Sequence, residues 1–187
     1  MQTVSALYDN YTDASLAVSD LEGAGFPHSD ISVVANKASK GVVHSDGQRY
    51  PDSSGTATGA SVGAVLAGGA GLLAGLGLMA IPGIGPVVAA GWLASTVTGA
   101  AVGGVAGSIV GALTDAGVNP EHAEVYAEGV RRGGTLVTVK ASDGDVGRVR
   151  SILQNRSWVD PETRGQEYRS SGWNKFDDKL PPFVPGI

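Results

Sequence analysis

Ile81-Pro82-Gly83-Ile84-Gly85-Pro86 sits in the middle of a stretch, Ser53 to Thr114, that contains no charged residue. On either side of it small residues recur at every fourth position. The first run is Gly55, Gly59, Gly63, Ala67, Gly71 and Gly75; the second is Gly91, Ser95, Gly99, Gly103, Gly107 and Gly111. Four residues of α-helix turn about 400°, so each small residue stands nearly above the last. The beat predicts two helices, roughly residues 57–80 and 86–114, packed antiparallel as a glycine zipper through smooth small-xxx-small stripes. Pro82, Gly83, Gly85 and Pro86 form the expected turn between them, because proline lacks the N–H and clashes with the preceding helical turn.

Such helices are about 36 and 43 Å long at 1.5 Å per residue, enough to cross a hydrocarbon core of about 30 Å. Lys37, Lys40 and Arg49 precede the hairpin and Arg131 and Arg132 follow it, while its tip is uncharged, with Trp92 near it as an interfacial anchor. The positive-inside bias then keeps both termini in the cytoplasm and the hairpin in the inner membrane. Against insertion, the first helix is mostly Gly and Ala, and Gly weakens a helix by about 1 kcal/mol relative to Ala. The alternative is a homo-oligomeric soluble assembly or shell with the hairpins buried between subunits; a pore of assembled hairpins is a third reading.

The flanks repeat each other. Thr3–Tyr8 alternates as a half-buried strand does, Thr12 is placed to cap a helix from Asp13 to Ala24, and Ile31–Ala35 reads as a second strand. At the other end come a strand at Thr135–Val139, a helix from Asp145 to Asn155 and a short strand at Trp158–Asp160. Two βαβ units make an α+β, ferredoxin-like sheet with helices on one face. Before the second unit, Asn119-Pro120-Glu121 opens an extra helix and Gly133-Gly134 closes it. The expected organisation is a first βαβ half at 1–35 and a polar linker at 36–54. The hairpin follows at 55–118, the helix with the second half at 119–160, and an aromatic-dotted tail at 161–187.

Composition excludes several chemistries. The formal charge of −5 argues against a nucleic-acid binder, which would show a basic face. The absence of cysteine removes disulfides and thiolate sites. Met1–Asp9 lacks the basic and apolar regions of a signal peptide, so the chain is expected to begin folded in the cytoplasm. His28, His44 and His122 have no ligand spacing, and Asp143-Gly144-Asp145 reads as helix capping rather than a calcium loop. Gly75-Leu76-Gly77-Leu78-Met79-Ala80 imitates a dinucleotide fingerprint but has no acidic residue about 20 positions on. No serine has a base at motif spacing. The expectation is no enzyme, cofactor, metal or small-molecule substrate, with the lipid membrane and other copies of the chain as partners. In the tail, Trp173, Phe176 and Phe183 suggest an extended segment that docks on a groove.

Three segments carry a resemblance: Phe26-Pro27-His28-Ser29-Asp30-Ile31-Ser32-Val33-Val34, Ile81–Pro86, and Tyr126-Ala127-Glu128-Gly129-Val130-Arg131-Arg132-Gly133-Gly134-Thr135-Leu136-Val137. They look like the bacterial general-stress-protein 17M-like group, related to the heat-induced stress domain of the YflT type. Gly172-Trp173-Asn174-Lys175-Phe176-Asp177 is similar to an element of some members. The resemblance implies a bacterial stress-associated protein and no reaction.

Overall fold

The computed structural model describes residues 1–36, 77–81, 83–96, 108–181 and 183. Within them the chain is α+β, a six-stranded antiparallel sheet with helices on both faces. The elements are β1 (Gln2–Tyr8), α1 (Tyr11–Gly23), a 3₁₀ turn (His28–Asp30), β2 (Ile31–Asn36), β3 (Gly77–Ile81) and β4 (Gly85–Ala90). After helical residues 92–96 come α2 (Ile109–Asp115), α3 (Pro120–Arg131), β5 (Thr135–Ala141), α4 (Val146–Gln154), β6 (Trp158–Val159) and α5 (Pro161–Ser170). The strands lie in the order β3-β4-β2-β5-β1-β6.

β1 and β5 are neighbours, paired from Gln2↔Ala141 to Tyr8↔Thr135. Alternation along the strands sorts the core into two layers. Val4, Ala6, Tyr8, Val137 and Val139 pack with Ala14, Val18 and Leu21 of α1 and Val149 and Leu153 of α4. Leu7, Val34, Leu136 and Val87 pack on the opposite face with Ile109 and Leu113 of α2 and Tyr126, Ala127 and Val130 of α3. The sequence predicts helices on one face; the second face is covered too. β2 is buried at every residue and β5 at every residue but Lys140, so neither face of the sheet's centre is left in water.

The first helix starts two residues earlier than expected. Asn10, not Thr12, is its cap, and the Asn10 side chain accepts from Asp13 N at 2.8 Å. Its end is as read: Phe26 N donates to Leu21 O across a left-handed Gly25. Asp145 precedes α4 but makes no side-chain cap; its carboxylate accepts from Ser142 Oγ at 2.6 Å.

The largest correction falls on the central segment. Residues 77–81 and 85–90 are strands, not the end of one helix and the start of another. Pro82 lies outside the described residues, and Gly83 and Gly85, both at positive φ, close a β-hairpin between Ile81 and Gly85. The predicted turn is therefore a turn, but Pro86 belongs to β4 and the turn joins strands. No residue of either small-residue run lies on these strands, which hold Ile81, Val87 and Val88 instead. β-branched side chains favour strand, and Gly83 and Gly85 at positive φ supply the tight turn between the two.

The stripe residues do not act alike. Gly91, at φ 84, turns the chain out of β4; a methyl there would strike the Ile31 carbonyl oxygen and lie 2.8 Å from the Ser32 Cα. Ser95 is exposed within helical residues 92–96, and Gly111 lies on α2 with open space beside it. Gly55, Gly59, Gly63, Ala67, Gly71, Gly75, Gly99, Gly103 and Gly107 lie outside the described residues, as does the linker beyond Asn36. Among the described residues no helix is long and apolar enough to cross a membrane. The tail is corrected as well, since its first ten residues are α5, capped by the Asp160 side chain accepting from Thr163 N at 2.9 Å.

Candidate functional site

The expected docking residues of the tail gather on their own chain. Beyond the end of α5 Gly172 lies in the left-handed region, and Trp173 N donates back to Tyr168 O at 3.0 Å. The Trp173 ring then stands edge-on to Tyr168, centroids 5.7 Å apart. Phe176 packs, half-buried, against the core layer formed with α2 and α3. The backbone of Asp177 and Asp178 crosses the hairpin tip so closely that a methyl on Gly83 would lie 2.7 Å from the Asp178 Cα. Only glycine fits there, for its positive φ and for this contact. Phe183 lies against two guanidiniums, 5.4 Å from Arg132 and 5.7 Å from Arg131.

Beneath these guanidiniums lies Glu128, 2% exposed. It accepts from Arg132 Nε at 2.7 Å and from Arg131 Nη1 at 3.2 Å. A carboxylate taken out of water needs such partners, and the spacing Glu128, Arg131, Arg132 supplies both on one helix face. Arg132 also covers the Tyr168 ring at 4.3 Å. Burial raises the Tyr168 hydroxyl above its ordinary value, and Arg164 opposes the shift. The sequence presents Arg131 and Arg132 as the positive flank after the uncharged segment; the glutamate at i−3 and i−4 is the signal for a clamp. Asn36 joins the same corner, donating from Nδ2 to the carbonyls of Val130 at 3.0 Å and Arg131 at 3.2 Å.

A second concavity, of about 290 Å³, borders the open edge of β1. β6 pairs with Leu7 and Tyr8 alone, and among the described residues Thr3–Ala6 has no strand on that side. Ser5, His122, Tyr126, Trp158 and Asp160 line it. Tyr126 OH donates to Ser5 O at 3.3 Å, and burial pushes its hydroxyl up to about 12. Asp160 is held below the carboxylate range by its bonds from Thr163, which commit it to capping α5. Ser5 Oγ donates to Thr138 Oγ1. Among the described residues no nucleophile in this recess is paired with a base. Within the recess His122 stands edge-on to Tyr126; elsewhere His28 Nδ1 lies 2.9 Å from Glu22, and the described residues contain no group of three metal-ligating side chains.

No family model matches the chain, and no curated protein or solved structure is similar enough to match it.

Proposed function

We propose that the protein is a non-enzymatic, self-associating module of the bacterial stress response, a ferredoxin-like sheet whose uncharged central segment joins copies of the chain. The observation that carries this reading is β3. It ends the described sheet and pairs with β4 alone, and its sequence, Gly77-Leu78-Met79-Ala80-Ile81, has no charge. Natural edge strands are commonly guarded by charge or proline, and an unguarded one pairs readily with another chain. The order β2-β5-β1-β6, with α1 and α4 in the connections, supports the ferredoxin-like core.

The small-residue runs before β3 and after Ser95 add further close-packing surface, a proposal that rests on sequence. Assembly with the uncharged segments between subunits is favoured over membrane insertion, because residues 77–80 and 86–90 of the supposed spanning helices are strand. The stress context rests on the family resemblance.

Detergent-free purification of the full chain with light scattering tests the reading. The expected result is a discrete homo-oligomer. Ala80→Lys, which puts a charge on the exposed edge, and Gly103→Leu should each lower the subunit number, while Val105→Leu should leave it unchanged. A wild-type protein that stays monomeric at every concentration overturns the proposal. Recovery in the membrane fraction alone would favour insertion instead.

A further inference from the structure

We infer that the C-terminal strap, residues 173–181 with Phe183, is an intramolecular latch on the β3–β4 hairpin that opposes association with a second copy. The inference rests on the self-association reading above. The hairpin is fastened at its base, where β4 pairs with β2 from Ala90↔Val33 to Val87↔Asn36 and Gly91 lies on the Ile31 backbone. Among the described residues that register runs as far as Val87, and residues 83–86 form the far end of the hairpin, with Ile84 buried in the layer that α2 and α3 cover. The strap meets the hairpin at this tip, where Asp177 and Asp178 cross Gly83. Its other end is gripped by Arg131 and Arg132 through Phe183. The strap therefore ties the tip to the C-terminal end of α3, beside the point where Asn36 ties β2 to the same end.

The fastening suits a device that opens. The strap belongs to no helix or strand; Trp173 holds its start to Tyr168 of α5, and beyond that its described anchors are one half-buried phenylalanine, one backbone crossing and a ring against two guanidiniums. Gly172, at φ 91, separates it from α5. Release uncovers the seat of Phe176 and frees the tip. Once β4 loosens, β2 presents an unpaired edge in a strand buried at all six positions. Such an edge is a template for a strand from another copy, the route by which identical elements exchange between protomers.

Amide exchange read by mass spectrometry, with light scattering on the same samples, tests the latch in full-length Phe176→Ser and Phe183→Ala. In Phe176→Ser, exchange in residues 77–90 should quicken at least tenfold, β1 and β5 should keep their rates, and association should rise. Phe183→Ala should act on the same residues more weakly. Unchanged exchange in 77–90 in both variants overturns the latch. Faster exchange there with no rise in association overturns its link to assembly and leaves the self-association reading standing. If Phe176→Ser quickens β1 and β5 equally, it reports general unfolding and Phe183→Ala decides. A monomeric wild type removes the self-association reading, which the exchange data do not address.

Discussion

β1 with β5, and β3 with β4, are antiparallel pairs in one sheet, yet they are held differently. The central pair is Gln2–Tyr8 against Thr135–Ala141, rich in Val, Thr and Leu and buried on both faces by four helices. The outer pair is Gly77–Ile81 against Gly85–Ala90, with glycines at the tip and with Ile81, Ile84 and Val87 buried in the layer that α2 and α3 cover. The central strands are held by side chains that leave water. The hairpin adds to such burial a close backbone fit, at Gly91 against Ile31 and at Gly83 against Asp178. Order at the edge of this sheet thus depends on backbone approach as well as on burial, and at those two glycines an added methyl is costly.

Substitutions can break this contrast. Leu136→Ala removes a fully buried side chain from the layer that also holds Ile84 and Val87. It should cost about 2–5 kcal/mol in denaturant unfolding. A loss below about 1 kcal/mol would mean that the centre is not held by burial. Gly91→Ala should cost about 2–4 kcal/mol, because the new methyl meets backbone atoms and the φ of 84 is strained for any other residue. Gly111→Ala, from the same run of small residues, should have the opposite sign. Its site on α2 is open, so the variant should stabilise the protein by about 0.5–1 kcal/mol through helix propensity. Equal effects at Gly91 and Gly111 would restore the idea that the beat is one helical stripe.

The smallest effect is electrostatic and lies at the β1 end of the sheet. Arg164 hydrogen-bonds Asp9 at 2.7 Å and holds its carboxyl below the usual range. A depressed folded-state pKa means that this contribution is complete above the unfolded carboxylate value and is lost as pH falls through the folded one. Asp9→Asn should flatten that part of the acid limb of a stability profile and leave the hairpin's amide exchange unchanged. Asp9 is well exposed, so the change should be slight. A steeper acid limb in the variant would reverse the assignment.

Most of the flanking structure was legible because alternation and capping are local. Asn119-Pro120-Glu121 announced α3, and the Asn119 side chain does accept from Glu121 N. Asp160-Pro161-Glu162 carries the same signature and opens α5, yet was read as the start of a tail. The signal was present. What hid it is that α5 buries only Pro161, Gly165 and Tyr168, so no apolar stripe accompanied the cap. The clamp of Glu128 by Arg131 and Arg132 was similarly written in i+3 and i+4 spacing. The meeting of Gly83 with Asp178 was not, because nothing local links residues so far apart in the chain.

The sequence by itself determined the two βαβ flanks, a turn at Gly83–Ile84 and the stop at Gly25, since each rests on the conformational range of a few adjacent residues. Tertiary structure decided whether the residues around that turn lie on helix or strand. The four-residue beat stops at Gly75 and resumes at Gly91, so it carries no information about the residues between them. For residues 77–81 and 85–90 the choice fell to a partner, the edge of β2, whose backbone groups β4 satisfies and against which the hairpin is laid.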